Sequence, residues 1–82
     1  MSSLFFKKIF ISELKMKKFS LNGENYFIKN DLTISNILKY FNYNESLLVL
    51  EYNSFICYEN DWEKIFIQNN DKIEIVTIVG GG

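Results

Sequence analysis

Residues 17–29, KKFSLNGENYFIK, restrict the fold of this chain more than any other stretch. Asn22-Gly23 separates two runs in which apolar and polar residues alternate. Asn-Gly is the favoured pair for a two-residue type I′ hairpin, because both central positions need positive φ. A two-residue turn fixes the register, with Leu21 opposite Glu24 and Phe19 opposite Tyr26. Phe19, Leu21, Tyr26 and Ile28 then share one face, which is the face to bury. A slip of one residue would throw all four to the other side.

The following stretch, LTISNILKYFN, supplies the packing partner. Ile34, Ile37, Leu38 and Phe41 recur at i, i+3, i+4 and i+7, one apolar stripe on a helix of about ten residues. Thr33 is placed to cap its N-terminus, with Leu32 stapled onto Ile37. Asn42 or Asn44 supplies a left-handed exit. Beyond the helix, LLVLEY is apolar at four consecutive positions and reads as a central or doubly covered strand. Alternation that puts Val49 inside also puts Glu51 inside, so this strand either ends near Leu50 or faces the other way. SFICY reads as a short edge strand. An irregular segment follows around Trp62, then a turn at Asn69-Asn70-Asp71 and a last strand from Ile73 to Val79. Strand, turn, strand, helix, two shorter strands and a closing strand is an α+β pattern, with one helix across one face of a mixed sheet.

Composition agrees with one small domain. A chain of 82 residues buries only about 60% of the surface exposed by its unfolded form, so it needs dense apolar residues. It is 48% hydrophobic, with 8 Phe, 5 Tyr and 1 Trp to fill the core. The nine cations are all Lys against ten carboxylates, a net charge of −1, so no basic field holds a phosphate backbone and nucleic acid is not an expected partner. The lone Cys57 excludes an internal disulfide and a cysteine-only metal site, and it fits a reducing compartment. Arg, His, Pro and Ala are absent while Lys, Asn, Ile, Phe and Tyr abound. We attribute that bias to AT-rich coding; the expected compartment is the cytoplasm, or the plastid stroma if the composition reflects an organelle genome. No run approaches the ~20 apolar residues of a membrane span. The opening MSSLFFKKIFISELKMKK has apolar runs too short for a secretory signal. Residues 1–15 are expected to be a loosely ordered extension, with an amphipathic membrane-surface segment as the alternative. The domain is expected over 16–79 and a glycine tail over 80–82.

Catalysis by this chain is not expected. Without His it lacks the usual base near neutrality, and Glu13, Glu24, Asp31, Glu45, Glu51, Glu59, Asp61, Glu63, Asp71 and Glu74 are scattered over turn and surface positions. Cys57, between apolar neighbours and without a basic group beside it, reads as a small core hydrophobe. Trp62 reads as packing for the irregular segment. One helix covers only one sheet face, which leaves Leu48, Leu50, Val76 and Ile78 as a candidate partner-binding patch on the other.

From Met16 to Gly82 the sequence resembles ThiS, the sulfur carrier family of thiamine biosynthesis, a group of small ubiquitin-like β-grasp proteins. The resemblance rests on the early NGE, LTISNIL at the helix, LVLEYN, Trp62 and the closing NDKIEIVTIVGGG. Relatives usually carry Gly-Asp in the last turn where this chain has Asn70-Asp71, and often Arg near Tyr58 to Asn60, where this chain has none. The resemblance implies a β-grasp fold and a protein acted on by partners: an E1-like adenylating enzyme of the ThiF type, a thiazole synthase of the ThiG type, and a sulfur donor such as a cysteine desulfurase. The chain itself would bind no cofactor and no metal, and ATP would be used by the adenylating enzyme. Gly82 would be the site of adenylation and of sulfur attachment as a thiocarboxylate, with Gly80 and Gly81 threading into partner active sites.

The tail chemistry is consistent on its own terms. A terminal carboxylate, with a reference pKa of about 3.5, is ionised at neutral pH and attacks the α-phosphate of ATP as a nucleophile. Glycines let the backbone approach where any Cβ would collide. Two other readings share the fold: a sulfur carrier for molybdopterin synthesis, and a β-grasp interaction module whose tail has no role.

Overall fold

The computed structural model describes residues 16–78. Its elements are β1 (Lys17–Leu21), β2 (Glu24–Ile28), α1 (Ile34–Tyr40), β3 (Leu48–Tyr52), β4 (Phe55–Cys57) and β5 (Asp71–Thr77), with 3-10 turns at Glu45–Leu47 and Glu59–Asp61. The strands form one mixed sheet in the order β2-β1-β5-β3-β4. β5 is its centre, parallel to β1 and antiparallel to β3. The extension over 1–15 lies outside the described residues.

The hairpin has the expected register, Leu21 opposite Glu24 and Phe19 opposite Tyr26. Asn22 and Gly23 take φ of 50° and 87°, as a type I′ turn requires. Phe19 and Leu21 are buried, and Tyr26 and Ile28 pack at the core's edge. The Phe19 and Tyr26 rings lie 5.7 Å apart, and Tyr26 meets Phe41 edge-on at 5.0 Å.

α1 is shorter than its apolar stripe suggested. Thr33 Oγ1 accepts from the Asn36 amide, and Asn36 Oδ1 accepts from the Thr33 amide, a reciprocal capping box that satisfies two otherwise free donors. The regular helix stops at Tyr40 because Asn42 turns left-handed at φ 62°. Phe41 is the cap residue, and its amide still donates to the Ile37 carbonyl at 3.1 Å, so the stripe ends on the cap. Asn44 serves the next element, capping the 3-10 turn through the Ser46 amide. Ile34, Ile37 and Leu38 are buried against Phe19, Leu21, Leu48, Leu50, Ile73 and Ile75.

β3 settles the question that its sequence left open. Leu48 and Leu50 face the helix, while Val49 and Glu51 face away. Burying two leucines stabilises the fold by about 1.5–3 kcal/mol each, whereas the opposite facing would bury the Glu51 carboxylate without a partner. β3 lies inside the sheet but is covered on one face only. β5 begins at Asp71, two residues before the expected start, because Phe19 and Ser20 pair with Asp71 and Lys72.

Candidate functional site

Two things define the candidate site: the face of the sheet opposite α1, and the point where β5 leaves the sheet. β5 is tied along its length. At its start the Asp71 carboxylate, only 6% exposed, accepts from Tyr52 Oη at 2.6 Å, Asn53 Nδ2 at 3.0 Å and the Gln68 amide at 2.7 Å. Asn53 also exchanges two bonds with the Lys72 backbone, its amide donating to the carbonyl and its Oδ1 accepting from the amide. Midway, Asn22 Oδ1 accepts from the Ile75 amide at 2.7 Å. At the exit the Ile78 amide donates to the Leu47 carbonyl at 2.6 Å. The strand is thus held from its start at Asp71 to Ile78. Asp71 is therefore a buried structural carboxylate rather than the surface group that its turn position suggested. It was missed because its partners lie 3, 18 and 19 residues away.

The open face carries Val49, Glu51, Ile56, Lys72, Glu74 and Val76. Of the four residues expected in the partner-binding patch, Val76 and Ile78 are 66% and 49% exposed, but Leu48 and Leu50 are 8% and 1% exposed. The latter two belong to the core and not to the patch. The reason is the antiparallel register: Leu48 pairs with Thr77 and Leu50 with Ile75, so the residue opposite Val76 is Val49. Exposed Val49 and Ile56 take the place of the two leucines. The patch next to the exit of β5 is therefore Val49, Ile56, Val76 and Ile78. Gly80, Gly81 and Gly82 lie outside the described residues.

Elsewhere the chemistry is structural. Cys57 is buried in the core, where burial, and secondarily the Asp61 charge, push its thiol above the usual value. A thiol so placed is a packing group. Trp62 is also buried and donates its indole N–H to the Cys57 carbonyl at 2.9 Å, which pins the irregular segment under the sheet. A groove of about 410 Å³ opens between β2 and α1, lined by Phe19, Tyr26, Phe27, Leu32 and Phe41 among others. It sits at the sheet edge, two strands from β5. Among the described residues no helix is long and apolar enough to cross a membrane.

A five-stranded mixed sheet with one helix laid across it is a ubiquitin-like β-grasp fold. The architecture matches the crystal structure of thiamine biosynthesis protein ThiS from Geobacter metallireducens with a TM-score of 0.67, over 79% of this chain and 99% of that one, at 16% identity. The sequence matches the ThiS family over residues 19–82, and the chain belongs to that family. It is also 61% identical over 66 residues to a protein of Trieres chinensis named "Uncharacterized protein ycf40", covering 80% of this chain and 90% of the relative. A protein of the same name from Porphyra purpurea is 36% identical over 62 residues, covering 76% and 87%.

Proposed function

We propose that this protein is a sulfur carrier for thiazole formation in thiamine biosynthesis, a cosubstrate rather than a catalyst. The observation that carries the reading is the extent of the family match, residues 19–82, which includes the three terminal glycines. In this reading the Gly82 carboxylate attacks the α-phosphate of ATP in the active site of a ThiF-type enzyme and pyrophosphate leaves. The persulfide of a donor such as a cysteine desulfurase then attacks the acyl adenylate and expels AMP, and a thiol reductant cleaves the resulting acyl disulfide, leaving the terminal thiocarboxylate and a disulfide. Gly80 and Gly81 pass through the partner's channel, and a ThiG-type synthase receives the sulfur. The chain's own contribution is positional: β5 is bonded both at Asp71 and at Ile78, so the segment that carries the carboxylate starts from a fixed point. The abundance of Lys, Asn and Ile without Arg, Pro or Ala is what AT-rich coding in an organelle genome would give, and on that reading the compartment is the plastid stroma.

The test incubates the full chain with ATP, a cognate adenylating enzyme and a sulfur source, then reads intact mass. Replacement of one oxygen by sulfur on the terminal peptide is the expected result. A chain never thiolated by an enzyme that is competent on another carrier sinks the reading.

The exposed patch beside the β5 exit is the natural seat for the adenylating enzyme, since open apolar surface on a small domain marks an interface. Val76→Asp places a carboxylate where apolar surface would be desolvated on docking. Binding is expected to weaken about tenfold or more, with the domain still folded, because Val76 is two-thirds exposed. Calorimetric titration that finds wild-type affinity refutes the patch.

A further inference from the structure

The open face sets two carboxylates opposite one another across β3 and β5. Glu51 on β3 stands directly opposite Glu74 on β5, and opposed residues on one sheet face have Cβ atoms about 4.5–5.5 Å apart. Like charges so placed repel. Among the described residues Lys72 Nζ approaches Glu74 at 3.7 Å and no cation pairs with Glu51. On the other side of Glu51 stands Ile56, and the next row toward the β5 exit is Val49 opposite Val76. Two adjacent carboxylates therefore sit between the apolar row of Val49 and Val76 on one side and Lys72 on the other. A choice that conflicts with local rules is expected where function requires it.

This juxtaposition determines what the face will accept. An apolar partner surface laid over Val49, Ile56 and Val76 would also cover Glu51 and Glu74, and desolvating carboxylates without a counter-charge opposes binding. We infer that the protein docking on this face presents an arginine that bridges Glu51 and Glu74 as the apolar rows close. A guanidinium fits better than an ammonium, because its planar fork offers several donors to two neighbouring carboxylates at once. A second copy of this chain does not meet the requirement, since the sequence contains no arginine. The inference rests on the carrier reading and gives its partner a chemistry: the adenylating enzyme carries an apolar platform with an arginine beside it, near the mouth of the channel that takes the tail.

The experiment titrates the adenylating enzyme with the full chain by calorimetry at low and high salt, using wild type, Glu51→Gln, Glu74→Gln, the double variant, and Glu24→Gln on the distant hairpin as control. Each single replacement is expected to weaken binding several-fold and the double variant about tenfold or more. The salt dependence of binding should flatten in the same order. Urea midpoints should not fall, because the replacements relieve repulsion. Equal affinities and salt slopes in wild type and double variant overturn the inference while leaving the carrier reading intact. Tighter binding by the double variant also overturns it, since the carboxylates would then only oppose docking. Failure of the wild type to bind a competent enzyme overturns both readings.

Discussion

A chain extended by one alanine beyond Gly82 is expected to lose thiolation by about a hundredfold or more while folding as wild type does. The carboxylate is the nucleophile in the proposed reaction, and one added residue displaces it by up to about 3.5 Å. Misplacement of a reacting atom by about 1 Å already costs on the order of a hundredfold in rate. Replacing Gly81 by leucine should give a loss of the same order by another route, since its side chain meets the wall of a channel shaped for bare backbone. Neither change touches the described core, so urea midpoints should coincide. Intact mass after incubation with ATP, enzyme and sulfur source reads the outcome. Ready thiolation of the extended chain would show that the free end is not the acceptor, and the interaction module with a tail of no role would become the better account.

The parts of the fold legible in the sequence are those decided within a few residues. Asn22-Gly23 fixes the hairpin because only positive φ closes a two-residue turn with the right twist. Thr33, Asn36 and the Ile34-Ile37-Leu38 stripe fix the helix because capping and periodicity act over single turns. β3 was less legible for a physical reason: four consecutive apolar residues carry no period, and only pairing with β5 chooses their faces. The choosing signal was nevertheless present in Glu51, whose charge forces Leu48 and Leu50 inward and removes them from the partner patch. The Glu51–Glu74 pair shows the limit from the other side. Each residue alone reads as ordinary surface, and their opposition exists only once the register of two strands 23 residues apart is known. The glycine tail has no physical signature of its own, and family likeness alone gives it meaning.

Asp71 is the least legible residue and the one on which the scaffold most depends. Replacing it by alanine frees Tyr52 Oη, Asn53 Nδ2 and the Gln68 amide together. Net contributions run at about 1 kcal/mol for a neutral bond and more for bonds to a charged group. A total loss of about 3 kcal/mol follows, after discount for the part of the cluster that water can reach. Against the 5–15 kcal/mol that holds a typical domain together, this is a large fraction, and for a domain of this size it lowers Tm by about 10–20 °C. Alkaline titration gives an independent reading of the same cluster. Burial first, then the hydrogen bond to Asp71 and its charge, hold the Tyr52 phenol well above its ordinary value of 10.0. A pKa raised on folding favours the protonated phenol in the native state, so this stability is fully present below pH 10 and declines as pH rises beyond it. Asp71→Ala should bring the Tyr52 ionisation down toward its ordinary value of 10.0, though not fully, because burial remains. Tyr52→Phe should remove its share of the alkaline loss. An alanine variant that unfolds within about 0.5 kcal/mol of wild type, as an ordinary surface substitution does, would return Asp71 to the surface role that its sequence position suggests. The first strand pairs of β5 would then be held by the sheet alone.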